Sequence, residues 1–132
     1  MVAILLCLFA CSPEVSVNVS WDDFKKEQHF SREVEVATDG SLTLTLYSCP
    51  GEGRRWSEAE ISDQTVLREV DHKYEPPPKP IGDPVPGAHG REVWTFKTLK
   101  KGTSTISMEY THPWEGGEKE PMLTFVLTVV VK

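Results

Sequence analysis

Residues 41–47 read SLTLTLY, and this stretch decides the fold. Leu42, Leu44 and Leu46 alternate with Thr43 and Thr45, so one face of an extended chain is apolar and the other polar. A period of two is the signature of a half-buried β-strand. The same pattern recurs outward in both directions. Val15, Val17, Val19 and Trp21 alternate with Ser16, Asn18 and Ser20, and Val34 and Val36 mark a short strand before an Asp39-Gly40 turn signal. Trp94 and Phe96 mark another strand, and Lys100-Lys101-Gly102 reads as a hairpin turn into a strand carrying Ile106, Met108 and Tyr110 on one face. The final segment, MLTFVLTVVVK, puts Leu123, Phe125, Leu127, Val129 and Val131 on one face. No window carries a helical period. The nearest, WSEAEISDQTVLREV (56–70), reads as strand and loop because of its β-branched residues and all-β surroundings, with room for a short helical turn. Repeated short strands separated by Gly and Pro turns predict an all-β chain, an immunoglobulin-like antiparallel β-sandwich. The Cys–Trp–Cys spacing of true immunoglobulin domains is absent.

With 132 residues, the chain suits one domain with its own hydrophobic core. A net charge of −6 and the lack of a basic stripe, the pairs Lys25-Lys26, Arg54-Arg55 and Lys100-Lys101 being isolated, argue against nucleic acid as a partner. The N-terminal run from Val2 to Ala10 is apolar and too short to span a bilayer, which suits the apolar region of a signal peptide. Leu8-Phe9-Ala10-Cys11 resembles a lipobox, with Cys11 as the residue that would be lipidated. The expected division is therefore residues 1–11 as signal peptide and 12–132 as the mature domain. The expected location is exported, in the cell envelope or secreted, with membrane attachment only through that lipid. Cys7 and Cys11 then leave Cys49 alone, so no disulfide framework forms, although a Cys11–Cys49 bridge stays open if Cys11 is not acylated. His29, His72, His89 and His112 show no metal-ligand spacing, and no cofactor is expected.

Three segments depart from the alternating pattern: YSCPGEGRRW (47–56), VPGAHGREVW (85–94) and YTHPWEGG (110–117). Each adjoins a strand and concentrates Pro and Gly, the residues that stiffen a loop or let its backbone approach another surface closely. The proline-rich run YEPPPKPIGDPVPGAHG (74–90) is a long extended loop inside the domain, since strands flank it on both sides. Trp114 is the one large aromatic inside a loop, between Pro113 and Glu115-Gly116-Gly117, and suits an exposed anchor. Trp56 instead suits packing between the sheets.

These residues resemble the chagasin family of cysteine-protease inhibitors. The first loop, Cys49-Pro50-Gly51-Glu52-Gly53 followed by Arg54, Arg55 and Trp56, stands where the family has Asn-Pro-Thr-Thr-Gly and a nearby Trp. The VDHKYEPP strand, 70–77, follows in the family's order. Gly87-Ala88-His89-Gly90 matches its Gly-x-Gly-Gly loop, and Tyr110-Thr111-His112-Pro113-Trp114 matches its Arg-Pro-Trp loop, at the end of the KKGTSTISMEY strand, 100–110. The resemblance implies a monomeric, reversible, non-covalent inhibitor and not an enzyme, with a papain-like cysteine protease as partner. Pro50, Gly51, Glu52 and Gly53 would lie over the catalytic thiol, with Gly87, Ala88, His89 and Gly90 on one flank and His112, Pro113 and Trp114 on the other. Three departures stand out, and the first favours an alternative, a non-inhibitory envelope binding or structural module of the same fold. Both loop threonines are replaced, by Gly51 and Glu52. The bracing Asn is Cys49, which lacks the amide's hydrogen-bonding groups, and the Arg is His112.

Overall fold

A computed structural model describes residues 12–49, 53–77, 90–111 and 122–132. The elements, in chain order, are β1 (Ser12–Val19), helix α1 (Trp21–Lys26), β2 (His29–Ser48), β3 (Arg55–Trp56), β4 (Glu60–Ile61), β5 (Leu67–Glu75), β6 (Gly90–Thr98), β7 (Gly102–Thr111) and β8 (Leu123–Val131). Hydrogen bonding joins the strands into one curled sheet whose two halves are the layers, or sheets, of a sandwich, and the long strand β2 serves both. Its first half, His29–Val36, pairs with β8, and β8 pairs with β7, against which β3 and β4 lie. Its second half, Ser41–Ser48, pairs with β6 on one side and β1 on the other, and β6 pairs with the edge strand β5. The result is an immunoglobulin-like sandwich with a single apolar core. Five ladders are antiparallel, as expected, but β1 and β8 run parallel to β2. Both reach it over long stretches of chain rather than tight turns, which is what parallel pairing requires.

The inward set expected from the alternation is the observed core. Leu42, Leu44, Leu46, Trp94, Phe96, Ile106, Tyr110, Phe125, Leu127 and Val129 are fully buried. At roughly 1.5–3 kcal/mol for each large apolar side chain removed from water, these residues carry the folding free energy.

Three local expectations are corrected. Asp39-Gly40 is not a turn between separate strands but a kink inside β2, with Asp39 at φ 59°. Gly40 is required there because a Cβ would meet the carbonyl oxygens of Pro13 and Ala37 at 2.5 and 2.9 Å. The buried Thr98 braces the kink: its hydroxyl accepts from the Gly40 N–H at 2.7 Å and donates to the Ala37 carbonyl at 2.6 Å. Lys100-Lys101-Gly102 likewise is not a hairpin turn, because β6 and β7 do not pair: β2 and β8 stand between them in the strand order. The connection crosses the end of the core, held by the Leu99 N–H on the Val66 carbonyl at 2.8 Å. Gly102 lies at φ 151°, where a Cβ would collide with Val66. Third, Trp21 does not continue β1. Ser20 caps a helix instead: the Asp23 N–H donates to the Ser20 hydroxyl at 3.3 Å, and the Ser20 N–H donates to the Asp23 carboxylate at 2.9 Å. This reciprocal capping box starts a helix too short to show a periodicity. Its buried Phe24 reaches the rings of Trp56 and Phe30 at 5.6 and 6.0 Å.

Two outcomes test these features. Asp39→Val puts a β-branched residue at positive φ and is expected to cost about 1–2 kcal/mol in urea unfolding, whereas Asp39→Asn is expected to be tolerated. The hydrogen bonds from Ser20 hold the Asp23 carboxyl below its ordinary value of 3.8. A depressed folded value means the contribution is present above that ordinary value and is lost as pH falls through the folded one. Asp23→Asn is therefore expected to lower stability by about 0.5 kcal/mol at neutral pH, with the difference closing below about pH 4, as followed by thermal unfolding.

Candidate functional site

The strand registers bring the roots of all three loops to one end of the sandwich. Ser48, the last residue of β2, pairs with Gly90, the first of β6, so the first loop begins where the second ends. Arg55 pairs with Thr111, so the first loop returns where the third departs. Tyr110 pairs with Leu123, which places the return of the third loop at the same end. Glu75 pairs with Arg91 at the start of the second.

Beneath these roots lies an aromatic cluster. The Tyr110 ring sits 5.0 Å from Trp56 and 6.1 Å from Tyr47, and Tyr47 is 4.9 Å from Trp21. Two hydrogen bonds cross it. The Cys49 N–H donates to the Tyr110 hydroxyl at 2.9 Å, and the Trp56 indole N–H donates to the Tyr47 carbonyl at 2.8 Å. Trp56 is thus a core residue between the sheets, as its sequence context suggested, and aromatic pairs of this kind add to plain area burial. Glu92 supplies a third polar tie: its carboxylate accepts from the Ser48 hydroxyl at 2.8 Å and lies 2.8 Å from His72 Nε2. The His72 ring stacks on buried Trp94 at 4.5 Å.

The second root is held tightly. A Cβ on Gly90 would sit 2.2 Å from the Glu75 carbonyl and 2.6 Å from the Tyr74 hydroxyl, so only glycine fits. Arg91 Nε donates to the Glu75 carboxylate at 2.7 Å, and this hydrogen bond is the main reason the Glu75 carboxyl lies below its ordinary value. Burial, followed by the nearby Cys49 and Glu92, raises the Tyr74 phenol. Beside this root Trp21, Tyr47, Pro76, Pro77 and Arg91 contribute to a groove of about 470 Å³.

Of the expected contact residues, Cys49, Gly53 and Gly90 are described. Cys49 is a buried free thiol and Gly90 is buried, so both form the base of the edge rather than its outer surface. Gly53 is partly exposed at φ 83°, a backbone conformation that favours glycine. Pro50, Gly51, Glu52, Gly87, Ala88, His89, His112, Pro113 and Trp114 lie outside the described residues, as does the N-terminal 1–11 segment with Cys11. Among the described residues, no group of three His, Cys, Asp or Glu side chains is arranged to hold a metal ion. The sequence reading missed the tie from Tyr110 to Cys49 and the tie through Glu92. The visible signal for the first was a tyrosine, rather than a phenylalanine, at an inward position next to a loop.

Known proteins share the sequence pattern and the fold. Residues 35–129 match the chagasin family peptidase inhibitor I42. The chain is 31% identical over 109 residues to amoebiasin-2 of Entamoeba histolytica, an alignment that covers 82% of each chain. The crystal structure of the cysteine protease inhibitor EhICP2 from Entamoeba histolytica shares the fold, with a TM-score of 0.65 at 22% identity over 90% of this chain and 97% of that one. The chain therefore belongs to the chagasin family of peptidase inhibitors.

Proposed function

We propose that the protein is a reversible, non-covalent inhibitor of papain-like cysteine proteases that presents three loops to the active-site cleft. Family membership supports the class of activity. The observation that carries the three-loop reading is the convergence of the loop roots at one end of the sandwich, where Ser48 pairs with Gly90 and Arg55 with Thr111. In this reading Pro50, Gly51, Glu52 and Gly53 lie over the protease nucleophile and exclude substrate and water from it. Gly87, Ala88 and His89, rising from buried Gly90 at the base, face one flank, and His112, Pro113 and Trp114 the other. A rigid base lowers the conformational entropy lost on docking, so more of the contact energy appears as affinity. Cys49 serves as an anchor and not as a nucleophile, consistent with 6% exposure of its side chain beneath the edge. We further propose export with lipidation at Cys11. Mass spectrometry of the mature N-terminus tests this, and an unprocessed Met1 would overturn it.

Titration of papain with the protein, followed with a fluorogenic substrate, is expected to give saturable and reversible loss of activity. Trp114→Ala is expected to weaken it about 30-fold or more, the cost of removing an aromatic anchor worth about 2 kcal/mol. Full activity of both papain and a cathepsin L-type enzyme at stoichiometric inhibitor would instead favour the non-inhibitory binding module.

A further inference from the structure

We infer that the Tyr110 hydroxyl, with the Trp56 indole N–H as its companion, is a positioning group that locks the first loop to the third, so that both meet a protease as one preformed unit. The inference rests on the inhibitor reading. The ladder between β2 and β6 ends at Ser48, which leaves the Cys49 N–H as the first backbone donor beyond it. Cys49 is buried, and a buried backbone donor left without a partner is costly. Tyr110 meets that demand from the facing sheet, at 2.9 Å. Tyr110 is fully buried beside Trp56 and Tyr47, and the ring of a phenylalanine would fill the same space. The oxygen therefore acts on the loop root rather than on the core.

The outgoing root closes on the same residue. Trp56 pairs with Tyr110 along the backbone, sets its ring at a tilt 5.0 Å from the Tyr110 ring, and sends its indole N–H back to the Tyr47 carbonyl, two residues before Cys49. Both ends of the first loop are thus referred to Tyr110, and the third loop leaves one residue later, after Thr111. A small displacement at this point would shift two contact loops relative to each other. Such a shift raises the ordering cost of binding without removing any contact with the protease.

The test compares wild-type protein with Tyr110→Phe and Trp56→Phe, and with Val131→Ala as a control at the opposite end of β8. Three readouts are taken: dissociation from papain, thermal unfolding and hydrogen exchange of the Cys49 amide. Tyr110→Phe is expected to speed dissociation about fivefold or more and to accelerate exchange at Cys49 by a similar factor, the scale of one buried neutral hydrogen bond. Trp56→Phe is expected to speed dissociation in the same way and stands in for Tyr110→Phe if that variant does not fold. Val131→Ala is expected to lower the Tm and leave papain dissociation unchanged, which separates positioning from general stability. Unchanged dissociation in the tyrosine and tryptophan variants overturns the inference, as does unaltered Cys49 protection in Tyr110→Phe. Failure of the wild-type protein itself to inhibit papain removes the functional reading beneath it, a result distinct from a variant that binds as tightly as wild type.

Discussion

The architecture depends on one constraint, the kink at Asp39 and Gly40 that lets a single 20-residue strand belong to both sheets. A straight strand of that length would extend a sheet past its partners and leave backbone groups unpaired. Bending in the middle lets each half find its own ladders, with β8 on one side and with β1 and β6 on the other. Thr98 binds both sides of the bend through one hydroxyl, and the Thr38 N–H and Lys132 carbonyl continue the β8 ladder up to it. Because the two halves are covalently one strand, the sheets cannot shift independently, and the position of everything at their ends follows.

That coupling explains why the candidate edge is built where it is. Its three loops leave from β2, β5 and β7 and return to β3, β6 and β8, so no single hairpin defines the surface. The loop roots are neighbours only because the strand registers and the stacked core align them. The aromatic group of Tyr47, Trp56 and Tyr110 fills the end of the core and ties the sheets together through side-chain hydrogen bonds to backbone atoms. A binding edge made from Pro- and Gly-rich segments needs such a base, since those segments have few apolar side chains with which to hold themselves.

Much of the fold was legible along the chain because burial in a sandwich obeys a period of two. The leucines of β2, Trp94 and Phe96 of β6, and the alternating residues of β7 and β8 are buried as their spacing demanded. Helix α1 was not legible by that route: six residues complete fewer than two turns, so no periodicity can emerge. Its local signs were the capping box at Ser20 and Asp23 and the acidic-to-basic order from Asp22-Asp23 to Lys25-Lys26. The Gly102 connection misled for a different reason. A Lys-Lys-Gly turn between two apolar runs looks the same whether the strands pair or are separated by two others in the strand order.

For the candidate edge, the sequence by itself determined the loop chemistry, the family motifs and the order in which they occur. Those are local properties of residue type: Pro restricts the backbone, Gly opens it, and a Trp between them suits an anchor. Only the tertiary structure decided that Cys49 lies beneath the edge instead of on it, and that Tyr110 holds its amide. It also decided that Glu92 joins Ser48 to His72. These pairings join residues 61, 44 and 20 positions apart. No local pattern encodes such distances, because they follow from how two kinked and registered sheets close over a common core.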